Sequence, residues 1–263
     1  ITGAIITACN DNFLEKYPIT SLTEENAFQT YDNFTYFIWP MYEMFSNTNI
    51  GTSVNGFGDN SIYRGDYWAG FFGRKNAQNP YASQAIATAS SGNGWDFTHI
   101  RRINIMLSNI DKANLTEEEV KHLKAVGYFF FSYWYMELID RFGDIPWINK
   151  VLVDSSEEAY GERMPRKQAA DSVLARLIWA EQNIRPQGDG HNTINRDVVR
   201  AALSRFTLRE GTWRKYHALG DFDKYFTECA KYSKLLMDSH PNLYYGTDRN
   251  ESGEMVPATG YGE

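Results

Sequence analysis

The residues best equipped for a definable chemistry come early. Ile6-Thr7-Ala8-Cys9 sets a branched apolar residue and two small ones ahead of a cysteine. Small side chains let a peptidase reach the bond before Cys9. The thiol then takes a diacylglyceryl group, and the amino group freed by cleavage is open to acylation. Several acyl chains anchor stably where a single chain is marginal. The flanks suit this chemistry: "ITGAIITA" is small and apolar like the end of a secretory hydrophobic region, and polar "NDN" follows Cys9. Residues 1–8 then read as the remnant of a signal peptide, residues 9–20 as a lipid-anchored tether and Cys9 as the lipidation site of an exported bacterial protein. The competing reading is an incidental cysteine.

Other reactive constellations are missing from the sequence. It holds no G-x-S-x-G, no H-E-x-x-H, no phosphate loop and no dinucleotide fingerprint. Its five histidines, His99, His122, His191, His217 and His240, lack a compact metal-ligand spacing. No catalytic residue, metal or cofactor is therefore expected. The second cysteine, Cys229, falls with Phe222, Tyr225, Phe226 and Leu236 on an apolar helical stripe, which predicts a buried core thiol. Net charge is −7, and the small basic clusters at His99–Arg102 and Pro165–Lys167 have acids close by, so nucleic acid is not an expected partner. The longest apolar run, Val126 to Met136, is shorter than the roughly 20 residues a membrane span needs.

The elements that would carry a site are mostly helical. Phe34, Phe37, Ile38, Met41 and Phe45 follow a helical stripe that Pro40 should interrupt near Trp39. Trp95, Ile100, Ile103, Leu107 and Ile110 define a second segment. Thr116 and Glu119 form a capping box for a third, whose apolar face runs Leu123, Gly127, Phe130, Phe131, Trp134, Leu138 and which Gly143 and Pro146 end. "DIPWINKVLVD" reads as extended. Pro165 opens a helix with Ala169, Val173, Leu177 and Ala180 on one face, and Asn195 caps another carrying Val199, Ala202, Leu203 and Phe206. Asp221–Ser239 is the last helix, and the stretch from His240 onward reads as a loop. The fold class is mostly α: tetratricopeptide-like helix pairs in an α-α superhelix, with a long irregular loop insertion at about 46–94 rich in Gly, Asn, Ser and Tyr.

Several stretches in order resemble one family. "CNDNFLEKYP" looks like the mature start of the SusD/RagB-like outer-membrane nutrient-binding lipoproteins. "WDFTHIRRINIMLSNID" resembles their Tyr-x-x-Ile-Arg-x-x-Asn helix, with Ile100, Arg101 and Asn104 fitting and Phe97 where Tyr is usual. "KAVGYFFFSYWYMELIDRFGDIPW" is similar to the family's aromatic helix ending in "GDIP", and "RMPRKQAADSVLARLIWAEQNI" and "INRDVVRAALSRFTLREGTW" match the next two segments. The resemblance implies that residues 21–263 form the N-terminal helical-repeat domain, with the C-terminal half missing. It implies binding of oligosaccharides, sometimes peptides, at the cell surface, and partnership with a SusC-like TonB-dependent porin that imports the cargo.

Sugar recognition needs aromatic faces against C–H patches and planar polar groups for hydroxyls. "YRGDYWAGFFGRKNAQNPY" interleaves both, and family members place N-half ligand contacts in the equivalent insertion. The candidate ligand-binding residues are Asp66, Tyr67, Trp68, Phe71, Arg74, Asn76 and Tyr81, with Trp68 and Arg74 preferred. The alternative for each aromatic is packing of the loop onto the scaffold. Two rival functions stay open: an all-α carbohydrate-active enzyme of the α/α-barrel hydrolase or lyase kind, and a helical-repeat adaptor for a protein partner.

Overall fold

The structure, a computed structural model, describes residues 27–46, 89–90, 94–241, 247–249 and 255–257. Helix α1 (Tyr31–Ile38) opens with a capping box between Thr30 and Asn33. Pro40 then imposes the expected break, a 3-10 turn over Trp39–Tyr42, before the short α2 (Glu43–Ser46). Next come α3 (Thr98–Ile110), α4 (Glu117–Phe142), α5 (Arg166–Asn183), α6 (Arg196–Tyr216) and α7 (Phe222–Ser239). Each of these packs on its neighbour in sequence: α3 on α4, α4 on α5, α5 on α6, α6 on α7. That is the helix-pair array the periodicity predicted.

Helix α4 is the axis of the core because it is apolar on nearly every side. Phe129, Phe130, Phe131, Tyr135, Leu138 and Ile139 are all buried on it, and only a helix covered by neighbours all round tolerates such a pattern. No helix among the described residues is long and apolar enough to cross a membrane. The predicted capping box is present: the Thr116 backbone and side chain both donate to Glu119 Oε2 at 2.8 Å, and the Glu119 amide donates back to Thr116 Oγ1. Gly127 lets α3 approach, since a Cβ there would fall 2.5 Å from Met106 Cε.

The extended strap after α4 is tied down by side chains. Tyr135 Oη donates to Pro146 O and accepts from Ile148 N; Asn104 Nδ2 donates to Ile148 O and Lys150 O; Arg101 Nη1 donates to Leu152 O. The motif residues Arg101 and Asn104 thus hold backbone. Ile145 pairs with Met164 in an isolated antiparallel bridge.

A polar cluster pins α1 to α4 and to the α5–α6 loop. Tyr31 Oη donates to Asp189 Oδ1 at 2.5 Å, and Arg185 Nη1 donates to the same oxygen at 2.8 Å. Buried His122 accepts the Arg185 amide at Nδ1, and its Nε2 lies 3.2 Å from Asp189 Oδ1. Burial pushes the Asp189 carboxyl up, yet the contacts of His122, Tyr31 and Arg185 prevail and hold it at about 2.

Three expectations are corrected. Cys229 is half-buried, its Sγ 3.9 Å from Ser233 Oγ, because α7 lies on the outside of the array and turns Tyr225 and Tyr232 into the core instead. Pro165 is the residue before α5 and not its first turn. The stretch after His240, read as loop, contains an antiparallel pair, β1 (Thr247–Arg249) with β2 (Met255–Pro257), in the register Asp248 opposite Val256. Strands of three residues carry too little alternation to be read from sequence.

Candidate functional site

Small residues on α6 open a cleft against the aromatic flank of α4. Ala201 and Ala202 face Phe129, Tyr133 and Met136, and the space they leave is about 290 Å³. Phe45, at the end of α2, closes one side with its ring 5.1 Å from Tyr133 and 6.0 Å from Phe130. Glu137, Arg205 and Arg209 form the polar rim. Ala201, Arg205 and Arg209 recur every fourth residue, which puts them on one face of α6.

The rim charges differ in how far they are committed. Arg209 is paired with Asp140 and also donates to Met136 O at 3.5 Å. Arg205 makes no hydrogen bond or ion pair among the described residues, and its charge acts on the Tyr133 phenol. Burial pushes Asp140 up to about 6 against the pull of Arg209. Burial, with Glu137 adding, also raises the Tyr133 phenol. Stacked rings beside guanidinium and carboxylate groups suit the C–H faces and hydroxyls of a sugar. Glu137 is the one carboxylate among the described lining residues, whereas glycoside cleavage needs two carboxyls flanking the bond. No group of three or more His, Cys, Asp or Glu among the described residues is placed to hold a metal ion.

Both roots of the insertion reach this half of α4. On one side Phe45 contacts Phe129, Phe130 and Tyr133. On the other, Trp95 packs edge-on to Phe142 at 4.9 Å, and Trp134 Nε1 donates to Asp96 O at 2.8 Å. Lipidation residue Cys9 and the ligand candidates Asp66, Tyr67, Trp68, Phe71, Arg74, Asn76 and Tyr81 lie outside the described residues. The cleft itself was not singled out from sequence. Its available signal was the four-residue spacing of two arginines behind an alanine on α6.

Residues 12–208 match a protein family described as "SusD-like" and "Starch-binding associating with outer membrane". The chain belongs to the SusD-like family. A curated relative, SusD-like protein P2 of Formosa agariphila, is 24% identical over 179 residues, covering 61% of this chain and 33% of its own length. A SusD-like protein of Bacteroides fragilis superposes with a TM-score of 0.62 at 17% identity, over 88% of this chain and 43% of its own. The surface glycan-binding protein A of Bacteroides fluxus superposes with a TM-score of 0.55 at 16% identity, over 82% of this chain and 46% of its own. At these identities the structural likeness establishes the SusD-like fold alone. The chain spans between a third and a half of the length of these relatives.

Proposed function

We propose that this chain is the helical part of a cell-surface glycan-binding lipoprotein, which delivers oligosaccharides to a SusC-like TonB-dependent porin without cleaving them. Residues 1–8 are the remnant of its signal peptide, residues 9–20 the tether acylated at Cys9, and residues 21–263 the helical-repeat domain. The observation that carries the reading is the family match over residues 12–208. The ring-lined cleft that Phe45 closes on one side supports it, since it pairs aromatic faces with a polar rim.

The test is calorimetric titration of the chain with maltoheptaose and a panel of neutral oligosaccharides, with an assay for new reducing ends. Binding without turnover is expected, weakened about tenfold by Trp68→Ala, the loss of one ring contact and its neighbouring hydrogen bonds. New reducing ends would favour the hydrolase. Binding of no glycan would remove the reading. Lipid labelling in a producing cell, lost in Cys9→Ser, tests the anchor.

A further inference from the structure

The arginines of α6 single out one position in the α4–α6 cleft. Five lie on this helix. Arg196 donates to Ile184 O at 3.1 Å, Arg200 to Glu181 at 2.8 Å and Arg214 to Glu210 at 2.7 Å, and Arg209 pairs with Asp140. Arg205 is the exception. It is exposed, it lines the cleft, and among the described residues it has neither a hydrogen bond nor an ion pair.

The groups around it gather on one ring. Arg209 stands one turn further along α6, about 6 Å along the axis, and Glu137 belongs to the α4 wall. Both arginines favour the ionised form of the Tyr133 phenol and Glu137 opposes it, which puts all three charges within electrostatic reach of that phenol. The other two are matched, Arg209 with Asp140 and Glu137 with Arg141 at 3.8 Å. The rim is therefore left with the positive charge of Arg205 unbalanced. Solvent reaches all of these groups: the side chains of Glu137 and Arg209 are 42% and 46% exposed.

A carboxylate on Arg205 gains a charge-assisted, forked pair that no described side chain supplies. Half-buried Phe45 and Tyr133, with ring centres 5.1 Å apart, give the apolar wall. The space of about 290 Å³ is at the small end of ligand cavities and suits one ring-sized unit of a chain. A bare inorganic anion leaves the rings unused, and a neutral sugar leaves the charge unused. We infer that this cleft selects an acidic oligosaccharide, seating one uronic-acid unit with its carboxylate on Arg205 and its C–H face against Tyr133 and Phe45. Glu137 repels the carboxylate and accepts from a hydroxyl, which fixes the orientation of the unit. The inference rests on the glycan-binding reading of the same cleft and adds to it the charge of the glycan.

The experiment is a calorimetric titration of the chain with sodium trigalacturonate, its methyl ester, maltotriose and sodium sulfate. The ester keeps the rings and removes the charges. Trigalacturonate is expected to bind about 10- to 100-fold more tightly than the ester, the range of one charge-assisted hydrogen bond. In Arg205→Gln the acid and the ester should bind alike. Arg205 is exposed and has no ion pair among the described residues, so the urea midpoint of this variant should match that of the parent. Equal binding of acid and ester by the parent chain would overturn the inference, as would an acid preference retained in Arg205→Gln. Sulfate binding as tight as that of trigalacturonate would mark a general anion site and overturn it too. Binding of maltotriose with neither galacturonide bound would remove the inference and leave the glycan-binding reading standing, whereas binding of no saccharide would remove both. The comparison of acid with ester needs no variant and stands whether or not Arg205→Gln folds.

Discussion

Arg214 and Arg176 are both drawn into the helix array and each buries Nη1 without a partner among the described residues, yet the rest of their surroundings differ. Arg214 is fully buried where α5, α6 and α7 meet. Its Nε donates to Glu210 at 2.7 Å, and its Nη2 donates to Asp171 at 3.2 Å, Tyr225 at 3.0 Å and the Lys167 carbonyl at 3.2 Å. Arg166 completes the cluster by pairing with Glu210 at 2.7 Å. Arg176 has three aromatic rings and, among the described residues, no carboxylate partner. Burial pulls its pKa below the ordinary arginine value, with Tyr128 and Tyr135 opposing. A buried charge with internal partners belongs to the architecture. One without them is maintained against its own desolvation.

Replacing each arginine by methionine is the strongest way to break that contrast. Arg214→Met leaves Asp171 and the buried Glu210 with fewer partners, and a loss of about 3 kcal/mol is expected, the lower end for a broken buried pair. Arg176→Met removes a cation without an ion-pair partner among the described residues, and its stability should equal or exceed that of the parent chain. Urea unfolding measures both. Equal destabilisation by the two substitutions would mean that Arg176 is structural and would erase the difference.

A third polar centre sharpens the comparison through pH. The Asp189 carboxyl is held at about 2, below the ordinary carboxylate value near 4, so the fold favours its ionised form. The contribution is therefore complete above about pH 5 and is lost as pH falls through 4 toward 2, amounting to about 2 kcal/mol. Asp189→Asn should lose that amount at pH 7 and flatten the acid limb of the unfolding profile. Arg176, with no carboxylate partner among the described residues, should give an Arg176→Met profile parallel to that of the parent. An unchanged acid limb in Asp189→Asn would show that the Tyr31–Arg185–His122 cluster does not stabilise α1 as described.

The helix pairs were legible because each rests on local rules: a capping box at Thr116, a cap at Asn195, a proline break at Pro40, and apolar residues at helical spacing. The ordered motifs likewise pointed to the SusD-like family before any geometry was known. Sites made by residues far apart in sequence were not legible. Tyr31 and Asp189 meet across 158 positions, and nothing in "TYDNF" or "QGDGH" announces the other. The cleft needs α2, α4 and α6 together. Arg176 did carry a signal, a charge set between Leu174 and Leu177 in "VLARLIWA", but its meaning depended on which rings would surround it. Half-buried Cys229 failed as a core prediction for a similar reason: periodicity shows that a stripe exists, and only the packing of α7 decides which edge of it faces inward.

The smallest effect tests whether local interactions stay local. Thr116 sits on the surface at the start of α4, where its hydroxyl accepts the Glu119 amide and Glu119 returns the contact to the Thr116 backbone. Thr116→Ala removes the side-chain half of the box and should cost about 1 kcal/mol, the usual worth of an N-cap. Such a loss is smaller than that from Arg214→Met, because solvent replaces the lost acceptor at an exposed helix end and cannot do so at a buried charge.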